Sequence, residues 1–299
     1  MANARAFVGR RMAIGNLRKI TRTMELIATS RFRKALARVT GATPYATTIA
    51  ELAANLGAAV RGVSHPLLQQ RPGAKNRLLL VITANRGLCG GYNAAILRAA
   101  TARIRETEAE AAVLHLEVSG KRGIRFFRYR GMPPEQSYTQ FEDRPRFEEV
   151  EVLAGRYLES FLGGKIDRLD VAYMKFQSAA RQVPVVETLL PLAGAAPPAA
   201  GRPGVGEAAP HARPAVYEFR PSAGDLPAEL LPESFKVRLF QCFLSAAVSE
   251  QTARCVTMKA ATDNTDEMMK NLTREYNRAR QAQITKEIAE VIGGAAALE

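Results

Sequence analysis

A chain of 299 residues with 47% apolar content is long enough for one large core or two smaller ones, and it contains no apolar run that could span a bilayer. Its formal net charge of +13 points to acidic proteins, an anionic surface or nucleic acid, but the basic stretches lack the interleaved aromatics of a nucleic-acid binder, so none is expected. Three cysteines, widely spaced, fit neither a disulfide framework nor a zinc pattern and suggest a reducing compartment.

Residues 1–62 read as a helical segment. Leu17, Ile20, Met24 and Ile27 recur at helical steps, and Phe32, Ala35 and Val39 continue the pattern. Gly41 and Pro44 mark an expected bend, after which Ile49, Leu52, Leu56 and Val60 resume it. The positive charge is concentrated here: ten arginines and lysines between Arg5 and Arg38 face one acid, Glu25. Gly62–Lys75 reads as a linker, and its His65 as a loop residue rather than a ligand.

Residues 75–220 have a different texture. Leu78–Thr83 is a short apolar run bounded by turn residues, as in a strand buried on both faces. Further strands are expected at Val113–Ser119, Leu169–Gln177 and Gln182–Leu190, and a last one at Val216–Arg220. Helices are expected after Asn93, at Ile124–Arg130 and at Glu148–Gly163. The alternation predicts a Rossmann-like α/β domain with a largely parallel sheet. Ala193–Pro214, rich in alanine, proline and glycine, reads as a flexible loop.

The stretch Asn85–Asn93 brings Gly87, Gly90 and Gly91 between a strand and a helix, where a phosphate could bind. The spacing matches neither the dinucleotide fingerprint nor the P-loop, so a tight turn with unusual backbone angles is expected instead. His65, His115 and His211 are scattered, with no nucleophile elbow beside them. No catalytic residue, cofactor site or metal site is expected.

Residues 225–299 read as one long helix, without proline from Phe235 onward. Phe235, Leu239, Cys242, Ala246, Ser249, Ala253, Val256 and Ala260 step by four and three, the spacing of a coiled-coil seam. The spacing breaks around Thr262-Asp263-Asn264, restarts at Leu272, Tyr276 and Ala279, and shifts again to Ile284, Ile288 and Val291. The segment from Phe235 to the end would reach roughly 100 Å as a helix, too long to bury itself against its own domain. With the N-terminal segment it predicts an antiparallel two-helix coiled coil.

Several strings carry a resemblance. Ser249–Arg254, Met258–Asn264, Tyr276–Ala282 and Ile284–Glu287 resemble the C-terminal helix of the gamma subunit of F-type ATP synthases, Gly15–Ala28 its N-terminal helix, and Arg86–Asn93 its α/β domain, which binds no nucleotide. Thr23 and Glu25 around Met24 depart from the usual pattern of that family. The resemblance implies a central rotor shaft that couples proton flow through the membrane ring to ATP synthesis or hydrolysis on the surrounding beta subunits, with no catalytic residues of its own. Its implied partners are the alpha and beta subunits, the epsilon subunit and the membrane c-ring. It implies a bacterial protein peripheral to the cell membrane on the cytoplasmic side, held there through the complex only. It places Arg280, Gln281, Thr285 and Glu287 where the shaft meets the moving loop of the beta subunits, with Met24 on the opposing helix at a similar height. The small, nearly uncharged tip Gly293–Leu298 is expected to turn in an apolar collar. Two rival readings are a nucleotide-dependent enzyme built on the α/β domain and a basic coiled coil that binds nucleic acid.

Overall fold

The structure, a computed structural model, describes residues 4–59, 65–69, 71, 73, 75–192 and 226–296. The expected loop at Ala193–Pro214 with its His211, the strand at Val216–Arg220 and the tip residues Ala297 and Leu298 lie outside them. Ten elements follow in order: α1 (Ala4–Ala59), β1 (Asn76–Ile82), α2 (Tyr92–Ala109), β2 (Val113–Ser119), α3 (Lys121–Tyr129), β3 (Gln136–Tyr138), α4 (Phe147–Leu162), β4 (Arg168–Phe176), β5 (Gln182–Leu190) and α5 (Leu226–Ala296). The chain divides into two compact units, one made of the chain up to Ser30 and from Arg254 on, the other of Arg31–Ala253.

The larger unit is built on a five-stranded sheet in the order β3-β2-β1-β4-β5. The first four strands are parallel, and β5 runs antiparallel to β4. From Leu78 to Ile82 β1 is apolar without interruption because both of its faces are covered. Leu78, Leu80 and Ile82 enter a core with Val150, Leu153, Tyr157 and Phe161 of α4 and Phe235, Leu239 and Phe243 of α5. Leu79 and Val81 enter a second core with Ile96, Ala100 and Ile104 of α2 and Ile124 and Phe127 of α3. The inward residues of α4 recur at helical spacing, and Glu148 and Glu149 in its first turn complement the positive end of the helix dipole. β3 was not expected: at three residues on a sheet edge it carries no apolar run to betray it.

The seam expected from Phe235 to Ser249 is buried, but not as a coiled coil. Phe235, Leu239, Cys242 and Ala246 pack on the sheet and α4, and Ser249 donates to the Met174 carbonyl at 3.1 Å. A four-three repeat describes any helix with one buried stripe, and here the partner is a sheet. The second half of α1 meets α5 through a different residue, Val237, which packs with Ala46 and Ile49. α1 runs as one helix through Pro44.

The smaller unit is an antiparallel pair formed by the start of α1 and the end of α5. Thr29 lies against Cys255, Thr21 against Thr262, Gly15 against Met269 and Arg11 against Tyr276, so the register descends along α5 as it climbs along α1. The seam on α5 is Cys255, Met258, Thr262, Thr265, Met269, Leu272, Tyr276 and Ala279, all buried or half-buried in steps of three and four. The expected seam residue Val256 is 62% exposed. The expected break at Thr262 does not occur either. Thr262 donates to the Met258 carbonyl at 2.9 Å and lies 3.0 Å from the Thr21 hydroxyl, so a polar residue sits in the seam with its hydrogen bonds made.

Candidate functional site

In the smaller unit most of the large apolar side chains of α1 point away from α5. The α1 seam is Phe7, Arg11, Ile14, Thr21, Glu25 and Ala28, a set dominated by polar and small residues. Arg11 stacks its guanidinium 5.3 Å from the Tyr276 ring centre, and Arg18 pairs with Asp266 beside the seam. Leu17, Ile20, Met24 and Ile27, expected as the packing stripe, are exposed by 37–52%. Each of Ile20, Met24 and Ile27 precedes a seam residue by one position, which turns it about 100° around the helix. The periodicity was legible, but it marks the outer flank. Scattered exposed apolar residues are ordinary; a continuous stripe at helical spacing marks a surface for a partner.

α5 carries a second such surface. Every residue from Arg280 to Gly294 is exposed, including Ile284, Ile288, Val291 and Ile292 at 43–73%. Among the described residues no helix covers Ile284, Ile288 and Val291, which were expected as a third seam segment. Continuing the register set by Thr262 and Tyr276 brings Arg280 level with the first described residues of α1.

Among the residues singled out from the sequence, Arg280, Gln281, Thr285 and Glu287 lie together on this exposed segment. Thr285 donates to the Gln281 carbonyl at 3.0 Å, and Glu287 accepts from Gln283 at 2.9 Å. Met24 is not at their height, contrary to expectation. It lies between the levels of Cys255 and Thr262, and from Thr262 to Arg280 is 18 residues, roughly 27 Å along the helix. The antiparallel register separates what the sequence had grouped.

In the larger unit the glycine turn is a strained strand-to-helix connection, with positive φ at Leu88 (65°) and Gly90 (55°). Open α/β sheets bind ligands in the crevice beyond the carboxyl ends of their strands. Here α5 fills that region: the Phe176 amide donates to Ser245 at 2.8 Å, and Tyr92, at the start of α2, donates to the Ala246 carbonyl at 3.1 Å. A solvent-open groove of about 280 Å³ lies instead between α1 and the 142–144 loop, lined by Arg31, Lys34, Arg38, Asp143 and Arg144. Its Asp143 is already engaged by Arg31 and Gln251. Among the described residues no cluster of histidines, cysteines and acids has metal-binding geometry. His65 accepts from the Leu67 amide within a turn, and His115 pairs with Glu135 at 2.9 Å.

The larger unit also holds a buried polar network. The Glu117 carboxylate accepts from Tyr138 at 2.8 Å, Tyr157 at 2.6 Å and Arg156 at 2.5 Å. Burial, reinforced by that carboxylate, raises the pKa of both phenols. Burial likewise pushes the Cys242 thiol up to about 12, with Glu187 nearby adding to the effect. The Glu117 network ties β2, β3 and α4 together.

The comparisons with known proteins agree across the chain. A family model described as ATP synthase matches residues 3–298. The chain is similar to the ATP synthase gamma chain of Rhodopirellula baltica, at 50% identity over all of both chains. It is similar at 36% to that of Gemmatimonas aurantiaca, again over all of both. Among solved structures it resembles a chain of the Euglena gracilis mitochondrial ATP synthase OSCP/F1/c-ring assembly, with a TM-score of 0.64 at 16% identity over 99% of this chain and 94% of that one. It also resembles a chain of the rotor of the same enzyme, with a TM-score of 0.59 at 14% identity over 94% of this chain and 98% of that one. At those identities the structural likeness speaks to the fold.

Proposed function

Because the chain belongs to the family of ATP synthase gamma chains, we propose that it is the central rotor shaft of a proton-translocating ATP synthase. The helical pair contacts the alpha and beta subunits, and the α/β unit contacts the epsilon subunit and the membrane c-ring. ATP is made or hydrolysed on the surrounding subunits, and this chain transmits torque. No helix among the described residues is long and apolar enough to cross a membrane, and the protein is held at the cytoplasmic face of the bacterial membrane by its complex.

One observation carries this reading: in the smaller unit α1 turns its apolar stripe Leu17, Ile20, Met24 and Ile27 outward and gives the seam mostly polar and small residues. A helical pair evolved to stand alone would do the reverse. The stripe is also lopsided. α1 offers Leu17, Ile20, Met24 and Ile27 on one flank, while lower down α5 offers Arg280, Gln281, Thr285 and Glu287 among isoleucines and valines. A shaft shifts the states of identical catalytic subunits only if it touches each of them differently. We assign those four residues and Met24 to two separate heights of contact with the ring.

The test is co-expression with the alpha and beta subunits. The expected result is a stoichiometric complex that hydrolyses ATP and, reconstituted with the membrane sector, makes ATP under a proton gradient. Ile288→Asp/Val291→Asp is expected to lower coupled synthesis at least ten-fold, since each new carboxylate must either give up its water or hold the two surfaces apart. An assembled complex with unchanged coupling in that variant removes the exposed segment from the surface that meets the ring, and failure to assemble with the wild-type chain defeats the rotor reading.

A further inference from the structure

The segment Lys121–Arg130 carries Lys121, Arg122, Arg125, Arg128 and Arg130, and no acid occurs between Gly120 and Pro134. As α3 it turns Gly123, Ile124 and Phe127 into the core. Gly123 lies so close to Thr83 and Val118 that a Cβ there would meet the Thr83 hydroxyl at 2.7 Å, which fixes the face that must point inward. The remaining face is set by elimination. Lys121, Arg125 and Arg128 recur one helical turn apart on the exposed side, and Tyr129 beside them is 91% exposed. Arg122 lies over Gly87, and Arg130 stacks 5.1 Å from the Phe126 ring centre.

Among the described residues no carboxylate lies within ion-pair reach of Lys121, Arg125 or Arg128. Like charges spaced one turn apart weaken a helix. The end of α5, by contrast, intermixes signs on its solvated face, as with Lys286 and Glu290. The α3 face is thus charged at a cost to its own helix that is offset only in part, by Arg128 in the last turn at the negative end of the helix dipole.

We propose that the outer face of α3 is a docking surface for the anionic headgroups of a lipid bilayer. Clusters of four or more lysines and arginines are the electrostatic signature of binding to anionic lipid, each adding to the attraction near the surface. Tyrosine is an interfacial anchor, with an apolar ring and a polar tip. An acidic peptide would need a groove with apolar pockets to fix its register, and the exposed face of so short a helix offers a convex surface instead. The proposal goes beyond the rotor reading and does not depend on it, because the isolated full-length chain can be tested.

The experiment is co-flotation of the purified chain on a density gradient, where self-associated protein stays at the bottom, with vesicles of phosphatidylcholine alone or mixed with phosphatidylglycerol. Binding is expected only to the mixed vesicles and should weaken as salt is added. Arg125→Gln/Arg128→Gln should bind about thirty-fold more weakly, and Tyr129→Ser a few-fold more weakly. Lys19→Gln/Arg33→Gln removes the same charge from exposed positions on α1 and should change binding by no more than about two-fold if the surface is local. Far-UV circular dichroism checks that each variant is folded, and the single substitutions carry the test if the double one is not. Equal loss in the two double variants would reduce the effect to net charge and overturn the proposal. So would tighter binding to duplex DNA than to the mixed vesicles, or equal binding to neutral vesicles.

Discussion

Thr21 and Thr262 show how a polar pair can occupy a helical seam. Both are nearly buried, and their hydroxyls lie 3.0 Å apart. Each also has a carbonyl on its own helix, Arg18 for Thr21 and Met258 for Thr262. Removing one hydroxyl leaves its partner short of a neighbour, whereas replacing both with valine keeps shape and leaves nothing unsatisfied. Each single Thr→Val change should therefore cost about 1 kcal/mol and the pair less than the sum, a coupling that a double-mutant cycle by urea unfolding would read. The buried phenols and Cys242 make a second prediction. All bind their protons more tightly folded than unfolded, so the unfolded chain releases protons first as pH rises. Stability from these groups is intact below about pH 8.5 and is lost as pH climbs past the unfolded values of the thiol and then, near 10, the phenols. Tyr157→Phe should flatten the decline above pH 10 by about 1.4 kcal/mol per pH unit, read from unfolding curves at graded alkaline pH. An unaltered slope would place the alkaline sensitivity elsewhere.

Elements buried on both faces were the most legible in the sequence. β1 and β2 announced themselves as bounded apolar or alternating runs, and α4 by its helical spacing. What a stripe packs against was not legible. Spacing reports that one side of a helix is buried, but not whether a helix, a sheet or a separate protein covers it. Phe235–Ser249 met a sheet, while Leu17, Ile20, Met24 and Ile27 stay 37–52% exposed on the flank of their own seam. The true seam on α5 was missed because threonine at positions 262 and 265 hides it from any apolar count. The register can be checked directly. Met258 is 4% exposed in the seam and Val256 is 62% exposed outside it. Met258→Ala should cost about 2–3 kcal/mol and Val256→Ala less than about 0.5 kcal/mol, measured as midpoint shifts in urea. A larger cost at Val256 would restore the seam inferred from spacing alone.

At the scale of the molecule, the polar strings around Ser249, Thr262 and Arg280 carried more about function than any apolar pattern did. Packing fixes only size and hydrophobicity, which many folds share, whereas a surface shaped for particular partners constrains residue identity. The residues assigned to the ring were still grouped wrongly in space, because the height of Met24 relative to Arg280 depends on a register that no local pattern states. Charge gave a coarser signal. The excess in the first forty residues is spread along exposed positions of α1, while the denser knot on α3 stood out only once its inward face was known.

The outward stripe of α1 has a practical corollary for anyone handling the protein. Leucines, isoleucines and a methionine left in water on the chain's own helices invite it to stick to other copies of itself. Made in excess over the subunits that should clothe it, the chain would clump and be cleared by proteolysis, so its cellular abundance would follow the supply of those subunits rather than its own rate of synthesis.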